Sequence, residues 1–184
     1  MLLKSFLFAA AFSCSSALWA LDLTPIVASR QLEGFEVPII LFKDGARKVA
    51  YQPPGHWRLS SSGAGMLQLF PQDGSRAVMQ IRLVSKEASA EEELPAWAQA
   101  LLPAGTSDVA LSGQCESPFT LGGLSSKEFT FSYIASGRRC TASVAVVELD
   151  ERQRLAVIVS AGAGEFKAVH GEAIASLFSW NWRE

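Results

Sequence analysis

The stretch Cys140–Ala161, CTASVAVVELDERQRLAVIVSA, holds two apolar runs, SVAVV (143–147) and LAVIV (155–159), joined by the charged turn 150–153. A strand with water on one side alternates apolar and polar residues, and these two runs do not. Their sheet is therefore expected to be covered on both faces. The link between them is too short for a crossover, so the two strands should pair antiparallel. Just upstream, KEFTFSYIA (127–135) alternates Phe129, Phe131 and Tyr133 with Glu128, Thr130 and Ser132. Ser136-Gly137 then suits a tight hairpin turn.

Further strands lie nearer the N-terminus. RAVMQIRLV (76–84) places Ala77, Met79, Ile81 and Leu83 on one face. The segments KVAYQ (48–52), HWRLS (56–60) and MLQLF (66–70) read as a meander. Pro53-Pro54-Gly55 and SSGAG (61–65) supply its turns. FEVPIILF (35–42) is a further strand, with Pro38 pointing to an edge.

Two segments carry a helical period. Leu94, Trp97, Ala98, Leu101 and Leu102 form one stripe over 91–102. Ser89 with Glu92 fits a capping box, and Pro95 marks either the first turn or a bend. Phe166, Val169, Ala173, Ile174, Leu177 and Phe178 repeat in the same way over 165–178. With two amphipathic helices as the natural covers, the expected class is α+β. The expected architecture is an α/β/α sandwich with a central antiparallel sheet flanked by helices.

Residues 1–20, MLLKSFLFAAAFSCSSALWA, have the layout of a secretory signal peptide: Lys4, an apolar run over 5–12, and Ala20 at the cleavage position. The run is too short to span a bilayer of about 30 Å. An uncleaved anchor and a lipoprotein cut before Cys14 are the alternatives. Cleavage leaves 164 residues, one domain's worth, and the loss of Lys4 moves the formal charge from −2 to −3. No basic stretch supports a nucleic-acid partner. No later segment could span a membrane, so the expected location is periplasmic or secreted. The expected division is a signal peptide over 1–20, an N-terminal strand segment over 21–45 and the main domain over 46–184. Cys115 and Cys140 then remain, and in an oxidising compartment the simplest expectation is a disulfide, with a redox-active pair as the alternative.

This order of features resembles the PsbP-like superfamily. The residues that carry the likeness are YQPPGHWRLSSSGAGMLQLFP (51–71), AVMQIRLV (77–84) and LPAWAQALLP (94–103), followed by 121–149 and RLAVIVSAGAGEFKAVHGEAIASLFSW (154–180). The resemblance spans about 46–180 and implies an antiparallel sheet between helices. It also implies a non-enzymatic accessory or binding role and transfers no site residue.

No convergent catalytic set is legible. His56 and His170 are the only histidines, and neither has a neighbouring nucleophile motif. No catalytic, metal or cofactor site is expected, and no cofactor. Glu91, Glu92 and Glu93 could touch calcium but read more simply as a solvated helix start. AGAGEF (161–166) could offer amides to an anion but reads more simply as a strand-to-helix link. In SLFSWNWRE (176–184), Phe178 and Trp180 are expected to pack, with Trp182 either packed or exposed. Trp180, Trp182 and His56 are the candidate interaction surface. The leading expectation is an exported, non-enzymatic accessory or binding domain of the bacterial cell envelope, with an envelope or secreted protein as partner. The alternatives are a small hydrolase using Ser60, Ser61 or Ser62 beside His56, and a carrier of a small apolar ligand between sheet and helix.

Overall fold

The computed structural model describes residues 21–63, 65–86 and 93–183, with the backbone alone for 61–63, 182 and 183. The signal-peptide segment 1–20, the Ser89–Glu92 capping box and Glu91 lie outside the described residues. Thirteen elements follow in order: β1 (Leu21–Leu32), β2 (Phe35–Asp44), β3 (Arg47–Tyr51), β4 (Trp57–Gly63), β5 (Met66–Pro71), β6 (Val78–Ser85), α1 (Leu94–Ala100), β7 (Thr106–Glu116), β8 (Ser126–Ala135), β9 (Arg138–Glu148), β10 (Gln153–Gly162), α2 (Phe166–Leu177) and β11 (Asn181–Arg183).

The strands form two antiparallel sheets. A seven-stranded sheet runs β4-β5-β6-β10-β9-β8-β7, and a four-stranded sheet runs β1-β2-β3-β11. The two doubly apolar runs are β9 and β10, side by side at the sheet centre, with Val157 opposite Ala145. Their neighbours are β8 and β6. Ser136 (φ 49°) and Gly137 (φ 72°) turn β8 into β9, the left-handed pair that a two-residue hairpin requires.

Both faces of the central strands are buried, as the sequence indicates, but the covers differ from expectation. On one face Phe129, Phe131, Val144, Val146, Ala156 and Ile158 pack against Trp97 and Ala98 of α1. On the other, Val157, Val159, Ala145 and Val147 join a larger core with Val169, Ala173, Ile174 and Leu177 of α2. That same core continues into the four-stranded sheet through Leu23, Ile40, Phe42, Val49 and Tyr51, which lie over Leu67, Leu69, Met79 and Ile81. The α/β/α sandwich is therefore corrected: the fold is mostly β, two antiparallel sheets with two helices. Apolar faces specify that a sheet is covered, not what covers it, and here a second sheet shares that work with α2.

Three local outcomes refine the reading. Helix α1 starts at Leu94 with Pro95 in its first turn, where the missing N–H costs no helical hydrogen bond. The segment 21–45 makes two strands joined by a hairpin, and β2 lies between β1 and β3. Pro38 is not on an edge strand. Its position is locally an edge, because β3 ends at Tyr51, opposite Ile40. Trp180 is buried as expected and stacks on Phe42 with ring centroids 5.3 Å apart. Phe178, expected to pack, is 65% exposed. It caps the C-terminal end of α2, where the chain leaves the helix stripe to enter β11, and Trp180 takes the inward position.

Candidate functional site

Helix α1 has seven residues, a length of about 10 Å. The strands β8, β9 and β10 beneath it have 10 or 11 residues each, roughly 33 Å. A roof this short covers the middle of its face and leaves one end of the strands open. That end is a groove of about 700 Å³ between the β8–β9 turn, the start of β6 and the link from β10 to α2. Pro103, just past α1, bounds it.

The register builds the floor. Val78 of β6 lies opposite Ser160 of β10, and one step further Gly162 of β10, Cys140 of β9 and Tyr133 of β8 stand in a row. The Tyr133 hydroxyl and Ser160 lie on the same face of the floor. Burial pushes the Tyr133 hydroxyl above the ordinary phenol range, against an opposing effect of the nearby Ser160 side chain. Gly162 leaves room: a Cβ there would meet only the Glu165 carboxylate, at 3.9 Å.

The walls are cationic. Arg76 and Arg138 line the groove and neither is ion-paired with a described carboxylate, while Arg139, next to the floor residue Cys140, alternates to the other face of β9. Glu165 is the one acidic side chain in the lining. The amides of Ala163 and Glu165 are already bonded to the carbonyls of Arg139 and Gly162, so AGAGEF is a strand-to-helix link here.

The cysteines are a correction. Both are free, Cys115 exposed and Cys140 half-buried in the groove. Cys115 pairs with Glu128 and Cys140 with Tyr133, on opposite sides of β8. Five residues and two strand spacings separate them, on the order of 19 Å. A disulfide needs Cα atoms within about 7 Å. An odd separation along β8 also sends the two thiols to opposite faces. Cys115 and Cys140 can therefore form neither a structural disulfide nor a redox pair with each other in this fold.

The histidines do not converge. His56 Nε2 lies 3.1 Å from Glu172 Oε2 on α2, and Trp57 Nε1 donates to the same oxygen at 3.2 Å. His56 and Glu172 border a second hollow of about 620 Å³, which Asp73 also lines. The backbone N–H of Ser75 holds the Asp73 carboxyl below the usual carboxylate range. Ser60 lies four residues further along the chain, on the order of 13 Å from His56, beyond hydrogen-bond reach. Ser61 and Ser62 side chains lie outside the described residues. Among the described residues no three His, Cys, Asp or Glu side chains group as metal ligands.

His170 is elsewhere, with Nε2 2.6 Å from Oε1 of Glu128, a carboxylate that is buried on β8 beneath α2. This pair fastens α2 to the sheet. Substituting His170→Ala leaves Glu128 buried without a partner and is expected to destabilise the fold by roughly 1–3 kcal/mol. In the His170→Ala/Glu128→Gln double variant part of that loss should return, because a neutral amide costs less to bury. Denaturant titration of the single and double variants measures the difference.

A second surface stands out on the β1–β2 hairpin, where Ile26, Val27, Leu32 and Phe35 are all exposed. Trp182 pairs through its backbone with Val49, and its side chain is outside the described residues. Of the expected interaction surface, Trp180 is in the core and His56 is half-exposed at Glu172. The arginine groove was not legible in the sequence. Arg76 and the pair Arg138-Arg139 lie some sixty residues apart, and only the order β6-β10-β9-β8 brings them to one end of the sheet.

No family model matches the chain, and no curated protein matches it. Among solved structures, it is similar to LpqN, described as involved in cell envelope biogenesis of Mycobacterium tuberculosis. The TM-score is 0.51 at 15% identity, over 88% of this chain and 92% of that one. It also matches PA94 of Pseudomonas aeruginosa, a protein of unknown function, with a TM-score of 0.40 at 12% identity, over 83% of this chain and 94% of that one. The likeness to LpqN is one of fold. No helix among the described residues is long and apolar enough to cross a membrane.

Proposed function

We propose that this chain is a non-enzymatic accessory or binding domain of the bacterial cell envelope, exported through residues 1–20 and working in the periplasm or outside the cell. Its working surface is the groove that α1 leaves open. The observation that carries this reading is the groove's composition: an apolar floor at Val78, Tyr133 and Cys140, rimmed by Arg76 and Arg138, neither of them ion-paired with a described carboxylate. Sites that hold ligands are concave, mostly apolar, and carry a few convergent polar groups.

Two further considerations support it. LpqN, a neighbour in fold, is involved in cell envelope biogenesis, which is consistent with an exported binding protein. The PsbP-like resemblance points to an accessory rather than a catalytic role. A hydrolase built on His56 is disfavoured, because that imidazole is turned to Glu172 and Ser60 is out of its reach. The carrier reading is kept in a modified place, on the open end of the sheet beside α1 rather than beneath a helix.

Hydrogen exchange tests the proposal. Purified protein is compared with and without a soluble envelope extract from its own host. Slowed exchange is expected over 74–78, 133–140 and 160–165. Protection confined to 21–44, or a hydrolytic turnover that His56→Ala abolishes, would contradict the reading.

A further inference from the structure

The composition of the groove specifies its ligand more closely than its shape does. The chain carries a formal charge of −2, yet one end of the sheet lines this groove with Arg76 and Arg138 against a single acidic residue, Glu165. A guanidinium is always charged and presents a planar fork that matches a carboxylate or phosphate. Unpaired guanidiniums beside a concave surface therefore favour an anionic group. The floor between them asks for something else. It crosses four strands from Val78 to Tyr133, about 14 Å at the usual strand spacing, and is apolar apart from Ser160 and the Tyr133 hydroxyl. A small inorganic anion would leave that floor wet, and a neutral apolar molecule would leave the guanidiniums unused.

We infer that the groove binds an amphiphilic anion, with a carboxylate or phosphate head at Arg76 and Arg138 and an acyl-length chain laid across Val78, Cys140 and Tyr133 toward Pro103. The inference rests on the groove being the working surface and adds the chemical class of its ligand. Glu165 repels the head and so orients it toward the arginine side.

The two thiols provide an internal reporter. Cys140 is on the floor, and Cys115 is exposed on another strand facing the opposite side of the sheet. Alkylation of the native protein is followed at both sites by peptide mass spectrometry, with decanoate, decyl phosphate, monodecanoylglycerol or inorganic phosphate added. Either anionic amphiphile is expected to slow Cys140 at least tenfold and leave Cys115 unchanged. The neutral glyceride and inorganic phosphate are expected to do neither. A preference between the two anions identifies the head group.

Substituting Arg76→Ala with Arg138→Ala should raise the half-protecting concentration tenfold or more. Both side chains are exposed, so the fold should tolerate their loss. Gly162→Leu should fill the floor and abolish protection by either anion. Equal protection by the neutral glyceride, protection by phosphate alone, or no protection by either anion would overturn the inference. If the envelope extract still slows exchange in the groove segments after such a result, the groove stands as the working surface and only the ligand class falls.

Discussion

Replacing Trp180 with alanine is expected to lower the unfolding free energy by about 3–5 kcal/mol, the range for truncating a large aromatic in a packed core. Trp180 follows α2 and stacks on Phe42 of β2, with Tyr51 of β3 at 5.8 Å. It thus ties the four-stranded sheet to the helix on the same face of the larger sheet. For a domain of this size the midpoint should fall by roughly 10 °C. Trp180→Phe should cost far less. It keeps an aromatic ring against Phe42 and removes an indole N–H that has no hydrogen-bond partner among the described residues. A large loss from both variants would mean that filling the full indole volume contributes more than the stacking does.

The second large effect is expected at Trp97, the main side chain that α1 lays on the opposite face. Trp97→Ala should also cost about 3–5 kcal/mol. About 0.5–1 kcal/mol of this belongs to the Arg154 guanidinium, 4.9 Å from the ring centroid. The consequences should differ from those at Trp180. Among the described residues, Trp97 and Ala98 of α1 are the buried cover over Phe129, Phe131, Val144 and Val146, so hydrogen exchange should quicken there while the Trp180 side of the sheet remains protected. Equal loosening of both faces would show that the two cores are one cooperative unit. Arg154→Ala alone separates the cation–π contribution from the packing.

These two tryptophans show what the sequence made legible. The runs 143–147 and 155–159 identified the sheet centre and its burial on both sides, because uninterrupted apolar residues leave no face for water. The 3.6-residue stripe located both helices, and Ser136-Gly137 located the central hairpin. The four-stranded sheet was harder to see. In β1 the residues TPIVASRQL mix small, polar and apolar side chains, and most of them end in water, so no alternation marks them. Strand β7 is similarly obscured. It is an edge strand with two register irregularities, Asp108 at φ 50° and mostly exposed side chains. Both unmarked strands lie at sheet edges, where the burial pattern that reveals a strand is weakest.

The candidate site was hidden for a different reason. Its floor and walls come from β6, β8, β9 and β10, and its existence depends on the shortness of α1. Pro103 and Gly105 mark where that helix must stop, but the consequence appears only when the helix is measured against the strands beneath it. The disulfide expectation failed on the same ground. Composition and compartment favour pairing two remaining cysteines, whereas the register of β7, β8 and β9 separates them and turns them to opposite faces.

That register determines whether Cys140 lies on the floor of the groove, and so whether the groove is built as described. Alkylation under denaturing, non-reducing conditions tests it directly: each of the peptides bearing Cys115 and Cys140 should carry the label in full, with Cys115 the faster of the two when the folded protein is treated. Unlabelled peptides that appear as a single Cys115–Cys140 linked species from monomeric protein would contradict the strand order, and the groove with it.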